Sequence, residues 1–210
     1  MKHIECDLCN SSNYSLIFEA KDYITGTHQV VVRCQNCGLV YINPQPSFDE
    51  LGNFYPKIYY GEKPFLYEKL DAFTRFRQIK KIIKLGSIIL DIGCGRGLLL
   101  SELKRKGCEV IGTELSEMSS KYARGSLNLN IINKNLEDCA FEKKYFDVIT
   151  MFHSLEHLIS PLKTLKEIYR IIKPGGTLVI EVPRFNSIYQ RLFKEKWFHL
   201  DVPRHLFHFE

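Results

Sequence analysis

Long apolar runs are missing from this sequence. No stretch of its 210 residues approaches the roughly 20 apolar positions that a membrane span needs. The opening Met1-Lys2-His3-Ile4-Glu5 also lacks the apolar core of a secretory leader. Both absences point to a cytoplasmic chain. Thiols stay reduced there, so the seven cysteines are expected to be metal ligands or free thiols, not disulfides. Internal repeats and low-complexity segments are missing too, which excludes a repeat architecture. Nor is there a strong excess of charge: 29 Lys and Arg stand against 24 Asp and Glu, a net charge of +5. Much of the excess lies in 63–84, where Lys63, Lys69, Arg75, Arg77, Lys80, Lys81 and Lys84 outnumber Glu68 and Asp71. Such a segment could meet RNA or an anionic substrate, but it reads better as a solvated helix face. No aromatic-and-basic platform for single strands is evident. What remains is ordinary globular composition, 45% hydrophobic and 25% charged. The length suits one large domain, or a medium domain with a small appendage.

Four of the cysteines are spaced for one metal ion. Cys6-x-x-Cys9 and Cys34-x-x-Cys37 each let two thiolates point at a common centre from a tight turn, and Gly38 follows the second pair. Two such knuckles supply the four sulfurs of a closed tetrahedral site. Strand-like residues at Tyr14 to Phe18 and Gln29 to Arg33 lie between them, and the whole looks like a zinc ribbon. A segment of about 40 residues buries too little core to fold unaided, so a metal would supply the missing stability. Four thiolates leave no open coordination position. Cys6, Cys9, Cys34 and Cys37 are therefore expected to hold a structural Zn2+, not a catalytic one.

Asn43-Pro44-Gln45-Pro46 ends the ribbon, and Ser47 with Glu50 has the pattern of a capping box, so a short helix is expected there. Tyr55, Tyr59 and Tyr60, broken by Pro56 and Gly61, form an aromatic loop that could close over a ligand or pack two modules together. Helical spacing of Leu66, Leu70, Phe73, Phe76, Ile79 and Ile83 predicts a long helix over 65–85, stopped by Gly86. From there strands and helices alternate. Strands are expected at Ile88 to Asp91, Glu109 to Thr113, Asn130 to Ile132, Phe146 to Phe152 and Thr177 to Val182. Helices are expected at Leu98 to Lys106, from Ser116 to Arg124, from Pro161 to Ile172 and at Phe185 to Phe193, with a turn at 173–176. Alternation of this kind implies an α/β fold, a doubly wound, mostly parallel sheet, with ligands at the carboxyl ends of its strands. The division expected is a zinc ribbon at 1–45, a helical linker and lid at 46–86, and a ligand-binding core at 87–210.

The strongest signal is Leu90-Asp91-Ile92-Gly93-Cys94-Gly95-Arg96-Gly97, set between the first core strand and a helix start. Glycine permits positive φ and close approach of a ligand, and free N–H groups at a helix start favour an anionic group. The glycines fall at 93, 95 and 97, with an acid two residues ahead, which departs from the dinucleotide fingerprint G-x-G-x-x-G. A second acid, Glu114, closes the next strand about 20 residues on, the usual distance for a carboxylate on ribose hydroxyls. This D-x-G-x-G-x-G pattern resembles the first motif of the class I S-adenosylmethionine-dependent methyltransferases, and from 65 onward the chain resembles their Rossmann-like core.

The resemblance implies S-adenosylmethionine as cofactor, held by Asp91, Gly93, Cys94, Gly95, Gly97, Glu114 and Leu115, with Asn135, Leu136 and Glu137 beside the adenine. It places His153 at the methionine portion. His153-Ser154-Leu155-Glu156-His157 matches the letters of an inverted zinc-protease motif, but it leaves a strand, and the sequence assigns no third ligand. It is instead similar to the family segment ending in Glu-His, where Glu156 and His157 orient substrate or His157 acts as a base. Trp197 to His208 contains a Pro-Arg-His core similar to that of ubiquinone-type and sugar-modifying members. There His205 is the first choice for a base, Arg204 a substrate contact, and Asp201 a support. Tyr59 and Tyr60 are candidate substrate contacts. An interior Glu–His pair, or a buried turn with a satisfied histidine, are the plain structural alternatives.

The expected activity is methyl transfer to a small molecule such as a sugar, a quinone-like compound or a lipid-linked precursor. An RNA methyltransferase docking through ribbon and basic helix, and an inactive cofactor-binding interaction module, are the alternatives. The family's sheet usually closes with an antiparallel pair. Only five strands are found before Glu210, so the core is expected to lack that C-terminal hairpin.

Overall fold

The computed structural model describes residues 1–55 and 65–210. Its chain divides into two compact units. Among the described residues, 1–55, 155–162 and 182–210 make the first, and 65–154 with 163–181 make the second.

The first unit is built on an antiparallel sheet of order β1-β2-β3-β9, from β1 (Tyr14–Lys21), β2 (His28–Cys34), β3 (Val40–Ile42) and β9 (Phe207–His208). The pairing Val40↔His208 and Tyr41↔Phe207 ties the far end of the chain to the ribbon. The compact unit so formed runs past residue 45, the expected end of the ribbon, and takes in 182–210, which the sequence reading placed with the ligand-binding core. The physical reason is core size. Val31, Val32, Val40, Tyr41 and Ile42 from the ribbon share one buried cluster with Phe185, Trp197, Leu206 and Phe207. The ribbon alone has too few apolar side chains for a core, and the C-terminal aromatics provide the remainder. The short helix α1 (Phe48–Leu51) starts at the expected capping box: Ser47 N donates to Glu50 Oε2 (2.8 Å), and Glu50 N donates to Ser47 Oγ (3.3 Å).

The second unit is a five-stranded parallel sheet of order β6-β5-β4-β7-β8. Its strands are β4 (Ile88–Ile92), β5 (Glu109–Thr113), β6 (Asn130–Ile132), β7 (Phe146–Phe152) and β8 (Ile172–Glu181). The helices are α2 (Phe65–Ile79), α3 (Leu98–Arg105), α4 (Glu117–Leu127) and α5 (Pro161–Ile171). Leu99, Leu100 and Leu103 of α3 turn their apolar stripe onto Ile89, Ile131 and Val148 of the sheet. Strand order reverses on either side of β4, which places the topological switch point at the carboxyl end of that strand.

Several boundaries differ from the sequence reading. α2 stops at Ile79, because Ile82 N turns back to Ile79 O in a tighter turn (3.0 Å). α4 runs through Gly125 and stops at Asn128, whose φ of 49° supplies the left-handed cap expected of the glycine. The turn expected at 173–176 lies within β8 as an irregularity, with the register against β7 shifting between Phe146 and Val148. In the first unit α6 is Ile188–Phe193, capped by Ser187, because Phe185 is drawn into the core and its N–H donates to Phe209 O (2.7 Å). Among the described residues no helix is long and apolar enough to cross a membrane.

Candidate functional site

In the second unit, β4 delivers Asp91 and then turns through Gly93, Gly95 and Gly97, whose φ values are 71°, 54° and 75°. The three glycines differ in what surrounds them. A Cβ on Gly93 would lie 2.1 Å from Ser154 Oγ, and one on Gly97 would lie 2.6 Å from a methyl of Leu129. A Cβ on Gly95 would meet nothing within 4 Å. Gly93 and Gly97 are thus packed from within, while Gly95 leaves its side open for a ligand to approach the backbone.

The start of α3 carries no side-chain cap, as expected, whereas the amides of the glycine loop itself are bonded internally. Gly93 N and Cys94 N both donate to Thr113 O (2.8 and 3.1 Å), and Gly97 N donates to Cys94 O (2.9 Å). Gly95 N donates to Glu114 Oε2 at 2.8 Å, while Ser116 N donates to Glu114 Oε1 at 2.7 Å. A loop this tight uses its own N–H groups to hold its shape. It presents a bare glycine face and a carboxylate beside the uncapped start of α3.

Glu114 is held from behind by a residue that the sequence reading passed over. Asn133, just past β6, donates its side-chain amide to Glu114 O (2.6 Å) and Leu115 O (2.9 Å). Its only signal in the sequence was a polar residue at a strand end. Asp91 is 4% exposed and accepts from Thr150 Oγ1 at 2.7 Å. Burial pushes its carboxyl up from 3.8 to about 6; the Thr150 hydrogen bond and the Arg75 charge pull the other way, and Glu114 adds to the rise. Burial, with Asp91 and Glu114 nearby, also raises the Cys94 thiol, so Cys94 lines the loop without being a nucleophile.

The remaining expected contacts scatter. Leu115 is exposed and Leu136 buried. Asn135 precedes the turn at 136–138, and Glu137 is turned onto the Thr164 hydroxyl. His153, with a φ of 50°, sits at the end of β7 with its Nε2 3.1 Å from Glu181 Oε1. Tyr59 and Tyr60 lie outside the described residues.

In the first unit the four cysteines meet. Gly38 N donates to Cys34 O (3.0 Å) and Asn10 N to Cys6 O (2.8 Å), which closes the two knuckles. Cys6 and Cys37 bring their sulfurs to 3.4 Å, Cys9 and Cys34 to 3.6 Å, and all four lie within 4.8 Å of one another. A tetrahedral zinc with bonds of about 2.3 Å sets its sulfurs about 3.8 Å apart, so the cluster fits such an ion and leaves no place for a substrate.

The unit also gathers Glu156, His157 and His205, with the two imidazole centroids 4.6 Å apart. His157 Nδ1 lies 3.1 Å from Tyr55 Oη and 3.0 Å from Arg204 O. His205 Nδ1 lies 2.8 Å from His199 O. Burial, then the His157 and His208 rings, hold His205 well below the usual imidazole range, which makes it a weak proton acceptor and qualifies its reading as the first-choice base. Arg204 is corrected as a substrate contact. Its side chain is fully buried, with Nη2 2.6 Å from Asp22 Oδ1, Nε 2.7 Å from Asp201 Oδ1 and Nη1 donating to Phe54 O (3.0 Å). Its donors are spent inside the unit.

The methyltransferase domain family matches residues 65–210. A ubiquinone biosynthesis O-methyltransferase of Coxiella burnetii is 35% identical over 127 residues, 58% of this chain and 52% of its own. A demethylmenaquinone methyltransferase of Lactococcus lactis is 32% identical over 152 residues, 61% of this chain and 60% of its own. A solved SAM-dependent methyltransferase from Archaeoglobus fulgidus is 29% identical with a TM-score of 0.52, over 62% of this chain and 63% of its own. The chain spans 52% to 60% of the length of these two curated relatives.

Proposed function

The chain belongs to the methyltransferase domain family, and from that premise we propose that it binds S-adenosylmethionine at the loop after β4 and methylates a small-molecule acceptor. The observation that carries this reading is the open side of Gly95, at a φ of 54°, next to the Glu114 carboxylate. A bare glycine face beside a carboxylate suits a nucleoside: the ribose lies against the backbone and its hydroxyls donate to the acid. Each Glu114 oxygen that accepts from the Gly95 or Ser116 amide keeps a further lone pair, which would take a ribose hydroxyl. Asp91, raised to about 6 by burial, keeps a proton-sensitive acceptor below the loop for the cationic end of the ligand. The cofactor supplies a methyl group already activated by a sulfonium, so the protein's task is alignment. Quinone-like acceptors are favoured, because the two curated relatives are named for ubiquinone and menaquinone biosynthesis.

In the same proposal the four-cysteine centre holds a structural Zn2+. The chain works in the cytoplasm, where its cysteines stay reduced. Calorimetry with S-adenosylmethionine tests the reading directly. Gly95→Arg fills the open side and Glu114→Ala removes the carboxylate, and each is expected to weaken binding at least about tenfold, or about 1.4 kcal/mol. Unaltered affinity in both variants overturns the site.

A further inference from the structure

We propose that Glu156, His157 and His205 form a second metal site, distinct from the four-cysteine centre, that takes a divalent transition ion of the zinc class. The three residues offer one nitrogen or oxygen each, and these atoms lie within 4.8 Å of one another. They come from two segments of the first unit, the turn at 155–157 and the stretch leading into β9. A backbone bond from Leu206 N to Glu156 O (2.8 Å) ties those segments together.

The tautomers decide what the imidazoles present. A carbonyl oxygen only accepts, so the nitrogen facing it carries the proton. His205 Nδ1 faces His199 O and His157 Nδ1 faces Arg204 O. Both rings are thereby fixed with the lone pair on Nε2. Metal-bound histidines are held this way, with the second nitrogen donating to a backbone carbonyl or a carboxylate. His205 Nε2 lies 4.0 Å from Glu156 Oε1 and 3.9 Å from Asp201 Oδ2. Bonds of about 2.0–2.2 Å set neighbouring donors about 3.4 Å apart, so the Glu156–His205 pair has to close by roughly half an ångström and the widest separation by somewhat more than one.

Two neutral imidazoles and one carboxylate are the donor set of three-ligand zinc and non-haem iron sites, with a further position left for water or substrate. The pattern H-x-x-E-H at 153–157 lacked an assignable third ligand in the sequence. The structure brings His205 to that place and sets His153 aside on Glu181. The inference stands apart from methyl transfer, since it requires only that the first unit is folded.

Anaerobic Co(II) titration of the metal-stripped full chain tests it. Thiolate ligation gives an intense charge-transfer band, whereas a nitrogen and oxygen site gives only weak visible bands. Two equivalents per chain are expected, one of each kind. Cys9→Ser with Cys37→Ser should remove the intense band and spare the weak ones. His157→Ala with His205→Ala should do the reverse. Glu156→Gln, which keeps the side-chain shape, should weaken the second equivalent at least about tenfold. S-adenosylmethionine binding to each variant reports separately on the second unit. A parent chain that takes up only the thiolate-bound equivalent overturns the proposal, whatever the variants do. So does a second equivalent that survives loss of both histidines.

Discussion

Asp91→Asn is expected to stabilise the ligand-free protein while impairing its function. The Asp91 carboxyl is 4% exposed and its pKa is raised from 3.8 to about 6. In the unfolded chain it loses its proton near 3.8; in the fold it keeps it to about 6. Between those values the folded state holds the extra proton, so this residue's contribution to stability falls as pH rises through that window and is flat above it. The full penalty is about 3 kcal/mol, from about two pK units at 1.36 kcal/mol each. Roughly half of it, about 1.5 kcal/mol, develops between pH 5 and pH 8. Asparagine keeps an oxygen for the Thr150 hydroxyl and carries no charge. Urea unfolding of parent and variant, followed by far-ultraviolet circular dichroism at pH 5 and pH 8, reads the difference. The variant's advantage should grow by about 1.5 kcal/mol across that interval, while its affinity for S-adenosylmethionine falls. An advantage equal at both pH values, or shrinking toward pH 8, refutes the claim that burial dominates at this carboxyl.

Other substitutions separate packing from ligand access. Gly93→Ala forces a Cβ to within 2.1 Å of Ser154 Oγ, whereas Gly95→Ala meets nothing within 4 Å and bears only the left-handed strain of about 1–2 kcal/mol. Thermal unfolding should therefore show the larger loss at Gly93, and equal losses would contradict the packing assignment. Arg204→Met leaves Asp22 and Asp201 without their shared cation and should cost about 3–5 kcal/mol in urea unfolding; a cost below about 1 kcal/mol would restore Arg204 as a ligand contact. Removing metal with a thiol-competing chelator should expose the ribbon and its C-terminal partner strand to protease while the parallel-sheet unit stays resistant. Uniform resistance with metal demonstrably stripped would show that the four cysteines do not stabilise the fold.

The parallel sheet was legible because its strands are short, largely apolar runs closed by glycine or a charged residue, as at Ile88–Ile92 before Gly93 and Glu109–Thr113 before Glu114. The knuckles were legible because metal ligation fixes their spacing. The role of 182–210 was not. β9 is two residues long, and its partner β3 lies more than 160 positions earlier, so no local pattern announces the pairing. Arg204 was misread for the same reason. A polar residue among aromatics looks like a pocket lining until Asp22, 182 positions away, is found beside it. The acids Asp91 and Glu114 stand out against the glycine spacing, whereas Asn133 acts through the backbone of Glu114 and Leu115 and carries no motif.

The central claim is that the face of Gly95 and the Glu114 carboxylate receive a sulfonium nucleoside. Titration calorimetry of the metal-loaded chain with S-adenosylmethionine tests it most directly. The account predicts one site per chain, lost in Gly95→Arg and in Glu114→Ala. Absence of heat at millimolar ligand with the folded parent, or full retention of binding in both variants, contradicts it.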